Sequence, residues 1–291
     1  MLFHHDCHTV LQEARLFLAD EINVQRHLFV GFVVHEGEAV AFGIKILAFA
    51  LFQRRAFDLF RRTEAFVQLG SITRNEKATL IKGLYVIIDP RVTGERDPLM
   101  IAQASIRGGA SMLQLRDKFR DKSETLTLSF ELQKLCASSG VSLIINDHVD
   151  IEAIVDSAGV HVGQTDVPVN QARLVLAPDQ VLGRSNRDLE QLIESERMGA
   201  DHVAFGAIFE TNTTGKSLGR APRGVEQLRI AKNNAQTPLV AIGGINADNI
   251  ATVVEAGADA VCLTAAVALS PEPEAAVANL VGIIEKAGGR I

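Results

Sequence analysis

The sequence has few cysteines and no strong excess of charge of one sign. These two absences argue against a nucleic-acid-binding protein and against a cysteine-based metal site. Its 291 residues carry a net charge of −6, so nothing indicates the basic surface of a nucleic-acid-binding protein. Cys7, Cys136 and Cys262 share no spacing typical of metal sites, and so sparse a set is typical of a reducing cytosol. We therefore expect a cytoplasmic protein, with Cys136 and Cys262 as buried thiols because each lies in an apolar run.

Long apolar runs are also missing. A spanning helix needs about 18 or more apolar residues without charge, and the nearest candidate, residues 29–52, is interrupted by Glu36, Glu38 and Lys45. The first eight residues, MLFHHDCH, lack the basic start, apolar run and small-residue cleavage site of a signal peptide. We expect neither a membrane nor a nucleic acid as a partner.

Proline is absent from the first 89 residues, whereas ten of the 14 Phe and five of the eight His fall in residues 1–82. A folded domain of that length without proline is unusual, and its apolar residues follow no steady period apart from a possible short helix at 59–67. Three interpretations stay open for an N-terminal extension of residues 1–82: a helical appendage or dimerisation arm, a divergent extra domain, or poorly patterned, disordered sequence added by a start codon assigned too far upstream. The regular pattern after it favours the third.

From Leu84 onward, short β-rich runs alternate with longer amphipathic stretches, which is typical of βα units and a parallel sheet. Helices are predicted at Ser123–Ser138, Arg187–Met198, Gly224–Asn233 and Asp248–Ala256. Eight βα units in about 200 residues predict an α/β fold, a (β/α)₈ TIM barrel over residues 83–291. The eight predicted strands are Leu84–Ile88, Met112–Arg116, Ser142–Ile145, Gly159–Gly163, Val181–Ser185, His202–Ile208, Leu239–Ile245 and Ala260–Ala265.

Chemistry in such barrels lies at the carboxyl ends of the strands. Nearly every predicted strand end carries a polar, ionic or glycine residue suited to a ligand, whereas a barrel without a ligand site should have bland turn residues there. In chain order these residues are Asp89, Gln114, Arg116, Lys118, Asn146, Asp147, Gln164, Asp166, Ser185, Thr211, Thr213, Gly243, Gly244 and Thr264.

Two groups within this ring indicate a phosphate and a metal. Arg116 and Lys118 share one side of strand two and can clamp a diphosphate, the alternative being a solvated basic strand end. Asp147 and Asp166 end neighbouring strands, and adjacent carboxylates repel unless a cation lies between them. Oxygen ligands that leave room for phosphate and water favour Mg²⁺, although separate turn or helix-capping roles stay open.

Backbone amides provide a second candidate phosphate site. Gly243-Gly244 follows a buried strand, and residues 246–248 are predicted to open a helix, an arrangement that binds phosphate after strand seven of many barrels. His161 lies inside strand four, where the pattern favours a packed structural histidine over a catalyst.

These residues resemble the thiamine-phosphate synthase family. Five segments carry the resemblance in order and spacing, from Leu84 to the C-terminus: LQLRDK at 113–118, IND at 145–147, GVHVGQTD at 159–166, LGRS at 182–185 and AIGGI at 241–245. The resemblance implies that a hydroxymethylpyrimidine diphosphate loses diphosphate to form a carbocation, which the nitrogen of a thiazole phosphate captures. The partners it implies are therefore small molecules.

The resemblance also implies a role for each matching residue. The Mg²⁺ ligands would be Asp147 and Asp166, and the catalytic residues Ser185 and Lys216, of which Ser185 also contacts the pyrimidine or its leaving group. The pyrimidine diphosphate would be held by Gln114, Arg116, Lys118 and Asn146. The thiazole phosphate would be held by Thr211, Thr213, Gly244, Thr264 and Ala265.

The sequence departs from the family in two places. The family reads Thr-x-Thr-Lys after strand six, whereas residues 211–216 read TNTTGK, so that Lys216 is displaced by two residues. Ala265 stands where a serine is usual. A thiazole phosphate isomerase of related fold and a non-catalytic binding protein stay open as alternatives, and the diphosphate-type residues argue against the isomerase. The oligomeric state is left open.

Overall fold

A closed barrel of eight parallel strands forms the part of the chain that the computed structural model describes, residues 73–211 and 221–290. The strands follow one another in chain order, and β1 closes the barrel by pairing with β8. The predicted TIM barrel is therefore confirmed, with strand ends that differ by a few residues. The strands are β1 (Gly83–Ile88), β2 (Met112–Leu115), β3 (Ser142–Asn146), β4 (Gly159–Val162), β5 (Val181–Asn186), β6 (His202–Gly206), β7 (Leu239–Ile242) and β8 (Ala260–Leu263).

Helices surround the barrel, and the four predicted ones are present. They are α1 (Arg74–Thr79), α2 (Pro90–Thr93), α3 (Pro98–Arg107), α4 (Lys122–Ser139), α5 (Val149–Val155), α6 (Val169–Ala172), α7 (Leu189–Arg197), α8 (Gly224–Asn234), α9 (Ile250–Glu255), α10 (Ala265–Ala268) and α11 (Pro273–Lys286). Helix α9 begins two residues later than predicted. Asn246 causes the delay, because its Oδ1 accepts from the Asp248 backbone N–H at 2.9 Å and forms a turn ahead of the helix.

Alternation along the strands separates two apolar layers. Every second residue of a strand points to the same side of the sheet, and we call each such set a parity. The parity that includes Leu84, Val86 and Ile88 packs between the sheet and the helices. The other parity, which includes Tyr85 and Ile87, fills the barrel interior together with residues from the other strands. Because side chains alternate strictly, polar residues of the interior parity nearer the carboxyl ends of the strands must lie above this apolar plug.

Helix α1 belongs to the packing of the barrel although it precedes the predicted boundary at residue 82. Its Lys77 Nζ lies 2.7 Å from Asp179 Oδ2, and Arg74 Nε lies 3.1 Å from Asp201 Oδ1, just before β5 and β6. Ile81 follows the helix, is 1% exposed and joins the interior apolar cluster. The compact unit accordingly extends from Ile72 to Ile291. The predictions for residues 1–72 fall outside the described residues.

The cysteine prediction is confirmed for the two thiols that are described. Cys136 and Cys262 are free and buried, and burial raises the pKa of Cys136 to about 12. Cys7 lies outside the described residues. None of the helices in residues 73–211 and 221–290 is long and apolar enough to cross a membrane.

We predict that a chain starting at residue 73 folds cooperatively, and that one starting at residue 83 has a lower free energy of unfolding. The second chain lacks the buried Ile81 side chain, whose loss is expected to cost about 2–5 kcal/mol. Chemical denaturation of both chains measures the difference. In the longer chain, Ile81→Ala should reproduce most of the loss, whereas Leu80→Ala, at an exposed neighbour, should not. Equal stability of the two chains would contradict a structural role for residues 73–82.

Candidate active site

Two ion pairs lie at the carboxyl ends of β1, β2 and β3. The Arg116 guanidinium pairs with the carboxylate of Asp89, which is 1% exposed and also accepts from the Arg91 backbone N–H at 3.0 Å. The Lys118 ammonium lies 2.6 Å from Asp147 Oδ2. The structure therefore brings both predicted basic residues to the mouth of the barrel and gives each one a carboxylate that fixes its position.

Asp147 and Asp166 are also brought together, within hydrogen-bonding distance of each other. Burial raises the pKa of Asp147, and the hydrogen bond and negative charge of Asp166 raise it further, although the ammonium of Lys118 opposes this shift. Two carboxyl groups this close need a proton or a cation between them. Lys118 supplies part of that positive charge in the structure described here.

Backbone conformation holds both carboxylates in place. Asp147 has a φ of 64°, a left-handed conformation that Asp and Asn tolerate better than most residues. Asp166 Oδ2 accepts from the Gly163 backbone N–H at 2.9 Å, and a Cβ on Gly163 would lie 2.6 Å from that oxygen. Any side chain at residue 163 would therefore force the Asp166 carboxylate to shift from this position.

The two carboxylates fit a magnesium site that is completed by ligands from outside the protein. Mg²⁺ takes oxygen ligands in octahedral geometry and commonly combines one or two carboxylates with phosphate oxygens and water. Within residues 73–211 and 221–290 there is no group of three or more His, Cys, Asp or Glu side chains that could hold a metal. Asp147 and Asp166 could therefore provide two of the ligands of such a metal, and not a complete set.

Polar side chains of the interior parity form the floor of this mouth. Gln114 Nε2 donates to the Tyr85 hydroxyl at 2.8 Å, and both side chains are buried inside the barrel. Asn146 ends β3 with the same parity as the interior residue Ile144 and is itself buried. These amides provide fixed polar groups just above the apolar plug.

Ser185 belongs to a line of three polar side chains inside the barrel. Its Oγ lies 2.9 Å from His161 Nε2, and His161 Nδ1 lies 3.4 Å from His202 Nε2. Burial lowers the pKa of His161 to about 4 and that of His202 well below its usual value. His161 is thus buried, as predicted, but it also contacts a predicted site residue.

Sequence reasoning missed His202. The signal that could have found it is the register of β4, β5 and β6, which aligns His161 with Gly183 and Gly183 with His202. A Cβ on Gly183 would lie 2.0 Å from His202 Nε2 and 2.5 Å from His161 Nδ1. The glycine between the two histidines therefore provides the space in which they meet.

The Gly243-Gly244 loop turns through left-handed conformations, with φ values of 100° and 69°. A Cβ on Gly243 would lie 2.4 Å from Ala207 Cβ, and one on Gly244 would lie 2.3 Å from the Glu210 carbonyl oxygen. The loop after β7 therefore packs backbone to backbone against the loop after β6. Thr264 and Ala265, at the start of α10, are half-buried beyond β8.

The loop after β6 is described only in part. Thr211 is half-buried at the end of a described segment. Thr213 and Lys216 lie outside the described residues, so their predicted roles have no structural account.

Two further residues shape the mouth: Gln164, which was predicted as a strand-end residue, and Asp117, which was not. Gln164 Nε2 donates to the Ser185 carbonyl oxygen at 2.8 Å, and Gln164 Oε1 accepts from Arg184 Nη2 at 3.1 Å. Asp117 Oδ1 accepts from the backbone N–H groups of Phe119 and Arg120, each at 3.0 Å, and so folds the loop that carries Lys118. An Asp whose side chain caps the turn after it is a recognisable sequence signal.

Comparison with known proteins gives one consistent result. The family described as Thiamine monophosphate synthase matches residues 84–267. The Thiamine-phosphate synthase of Shouchella clausii is 37% identical over 204 residues, which cover 70% of this chain and 97% of that protein. The solved structure of Thiamine phosphate pyrophosphorylase from Pyrococcus furiosus is similar with a TM-score of 0.65 and 31% identity, covering 72% of this chain and 98% of that one.

A more distant structure shares the fold alone. The (S)-3-O-geranylgeranylglyceryl phosphate synthase of Thermoplasma acidophilum is 15% identical, with a TM-score of 0.55 and coverage of 74% of this chain and 100% of that one.

We predict that Gly183→Ala lowers the free energy of unfolding by about 1–3 kcal/mol, because the added methyl group must displace one of two buried histidine rings. Gly282→Ala is the matched control. Gly282 lies inside α11 with no atom within 4 Å of the position of an added Cβ. There, alanine should raise stability by about 0.5–1 kcal/mol. Equal denaturation midpoints for Gly183→Ala and the wild type would contradict the packing described here.

Proposed function

The chain belongs to the thiamine monophosphate synthase family, and from that membership we propose how its barrel carries out the reaction. It is a transferase that synthesises thiamine phosphate from small-molecule substrates. In the proposed reaction, 4-amino-2-methyl-5-(diphosphooxymethyl)pyrimidine loses diphosphate, and the resulting carbocation is captured by the ring nitrogen of a thiazole phosphate. The observation that carries this proposal is the contact between Asp147 and Asp166 beside Arg116 and Lys118.

The departing diphosphate is the group that this cluster suits best. Arg116 offers a planar fork of N–H donors held in place by Asp89, and Lys118 offers a point charge. Asp147 and Asp166 would hold Mg²⁺, which supplies positive charge to the leaving group. When the substrate binds, Lys118 would leave its ion pair with Asp147 and form one with a diphosphate oxygen instead.

The interior polar residues suit the pyrimidine. Gln114, Asn146 and Ser185 lie above the apolar plug of the barrel, where a flat heteroaromatic ring finds hydrogen-bonding groups in fixed positions. Most of their contribution is orientation, because a bound carbocation must meet its nucleophile before it meets water.

The thiazole phosphate is assigned to the opposite side of the mouth. The backbone around Gly244 and the start of α10 at Thr264 and Ala265 offer N–H groups to a phosphate. Thr211 and Thr213 would contact the same phosphate from the loop after β6. The loss of the usual serine at position 265 is mild, since a backbone N–H is present in any residue but proline.

The alternatives have weaker support. A thiazole phosphate isomerase needs no diphosphate clamp and no paired carboxylates, and the displaced Lys216 is the only feature that favours a non-catalytic binding protein. The cytoplasmic location also stays a proposal, resting on the sparse cysteines.

Direct assay of the purified chain tests the function. With both phosphorylated substrates and Mg²⁺, thiamine phosphate and diphosphate should form in equal amounts. Diphosphate release without thiamine phosphate would indicate hydrolysis of the pyrimidine substrate, and no release at all would contradict the synthase assignment.

We predict that Asp147→Asn abolishes synthesis while the melting temperature stays close to the wild-type value. Asparagine removes the charge but tolerates the left-handed backbone of residue 147, which alanine does not. Asp150→Asn is the control. Asp150 lies three residues after Asp147 in the sequence, is exposed, and forms an ion pair with Lys122. Synthesis should also stop in excess chelator and return with added Mg²⁺. Full activity in chelator would contradict the metal assignment.

We predict from the sequence that Lys216→Ala slows cleavage of the diphosphate bond by roughly 10²–10³, the effect of losing one charge that stabilises the transition state. Lys216 lies outside the described residues, so this prediction rests on the family pattern in the sequence. Binding of the thiazole phosphate should change little, and Lys118→Ala should behave similarly. Lys286→Ala, at an exposed helix end, is the control. Single-turnover kinetics that match the wild type would make Lys216 a solvated loop residue.

A further inference from the structure

The proposed function leaves His161 and His202 without a role, although they connect Ser185 to the centre of the barrel. We propose that His202 is a positioning residue that acts through His161 to fix the Ser185 hydroxyl as a hydrogen-bond donor toward the pyrimidine substrate. This inference rests on the proposed function, because Ser185 is assigned to the pyrimidine diphosphate there.

Each histidine lies inside the barrel, and the facing nitrogens His161 Nδ1 and His202 Nε2 can form a hydrogen bond only if one donates and the other accepts. His202 is 0% exposed and faces His161. A neutral imidazole has one N–H group and one acceptor nitrogen, so each ring must choose which nitrogen carries its proton.

The surroundings of His202 Nδ1 determine which nitrogen of each ring carries the proton. His202 Nδ1 is buried and has no hydrogen-bond partner among the described residues. If His161 Nδ1 donated to His202 Nε2, the His202 proton would be left on Nδ1 as a buried N–H without a partner, a rare and costly defect. The proton of His202 therefore lies on Nε2 and is donated to His161 Nδ1.

The position of the His202 proton also determines the position of the His161 proton and the orientation of the Ser185 hydroxyl. Because His161 Nδ1 accepts, the His161 proton lies on Nε2 and is donated to Ser185 Oγ over 2.9 Å. The serine oxygen is then engaged as an acceptor, and its own proton is free to point toward the mouth of the barrel. Serine alone would have no such preference, since a hydroxyl group rotates to suit its partner.

A fixed donor recognises an acceptor. Ser185 should therefore face a ring nitrogen of the pyrimidine or an oxygen of its diphosphate, and not the exocyclic amino group, which would offer a second donor. With the opposite tautomers, Ser185 would donate to His161 and turn its lone pairs toward the substrate. His202 thus determines which kind of substrate atom is recognised, without touching the substrate.

Nitrogen-15 NMR of the histidine side chains tests the tautomers without any activity measurement. Ring nitrogens that carry a proton differ strongly in chemical shift from those that do not, and His161 and His202 can be assigned by single substitution. The expected result is that both rings are neutral with the proton on Nε2. A proton on Nδ1 of His161, or a charged ring, would overturn the proposal even in a chain that makes no thiamine phosphate.

Steady-state kinetics test the consequence for the substrate. His202→Leu removes the donor and should lower kcat/KM for the pyrimidine diphosphate roughly tenfold, about the effect of one hydrogen bond, while the KM for the thiazole phosphate stays unchanged. His202→Gln should recover most of the loss, because its amide nitrogen lies near the position of the histidine Nε2. No recovery in a folded Gln variant would contradict a donor role for His202.

The double variant separates positioning from general packing. In a Ser185→Ala background, His202→Leu should have no further effect, because its influence passes through the missing hydroxyl group. Losses that multiply in the double variant would mean that His202 only supports the fold, and would overturn the proposal. If the Leu variant does not fold, the Gln variant in both backgrounds and the wild-type NMR result still decide the question. Failure of the proposed function would instead appear as a wild-type chain that makes no thiamine phosphate.

Discussion

Repulsion between two neighbouring carboxylates organises the mouth of this barrel. Asp147 and Asp166 approach each other closely in a half-buried position, where their charges are poorly screened by water. A folded chain tolerates such a pair only when positive charge is close at hand, and Lys118 provides some of it. The local backbone is arranged around the same pair, since residue 147 is left-handed and a Cβ at residue 163 would lie 2.6 Å from Asp166 Oδ2. Under the proposed function, the cations held by these carboxylates would in turn hold the diphosphate.

Strand alternation determines which residues can take part. Side chains of one parity fill the space between sheet and helices, and side chains of the other parity fill the barrel from its floor to its mouth. Tyr85 belongs to the interior apolar cluster, whereas Gln114, hydrogen-bonded to it, and Ser185, near the end of β5, are polar residues of the same parity. Strand alternation therefore determines both the fold and the site. Along each strand, the change from apolar to polar interior residues marks the boundary between the barrel core and the candidate active site.

Much of this could be predicted from the sequence, because the barrel follows from a regular alternation that each strand repeats. The strand-end positions of Arg116, Asp147 and Asp166 follow from the same pattern. Other features depend on contacts between strands, which a linear sequence does not reveal. The meeting of His161 and His202 requires the register of three strands and the missing side chain of Gly183. Helix α1 was missed as part of the barrel because its apolar contribution is a single residue, Ile81.

The contact between Gly244 and the Glu210 carbonyl oxygen bears on how this family can diverge. A backbone that packs this closely against another couples the two loops in evolution, because a change of length before Glu210 would also displace the loop after β7. The family pattern departs after this point, where the lysine expected two residues earlier is found at position 216. A change of length before Glu210 would therefore have to be matched by a change in the loop after β7, which restricts where the loop after β6 can vary.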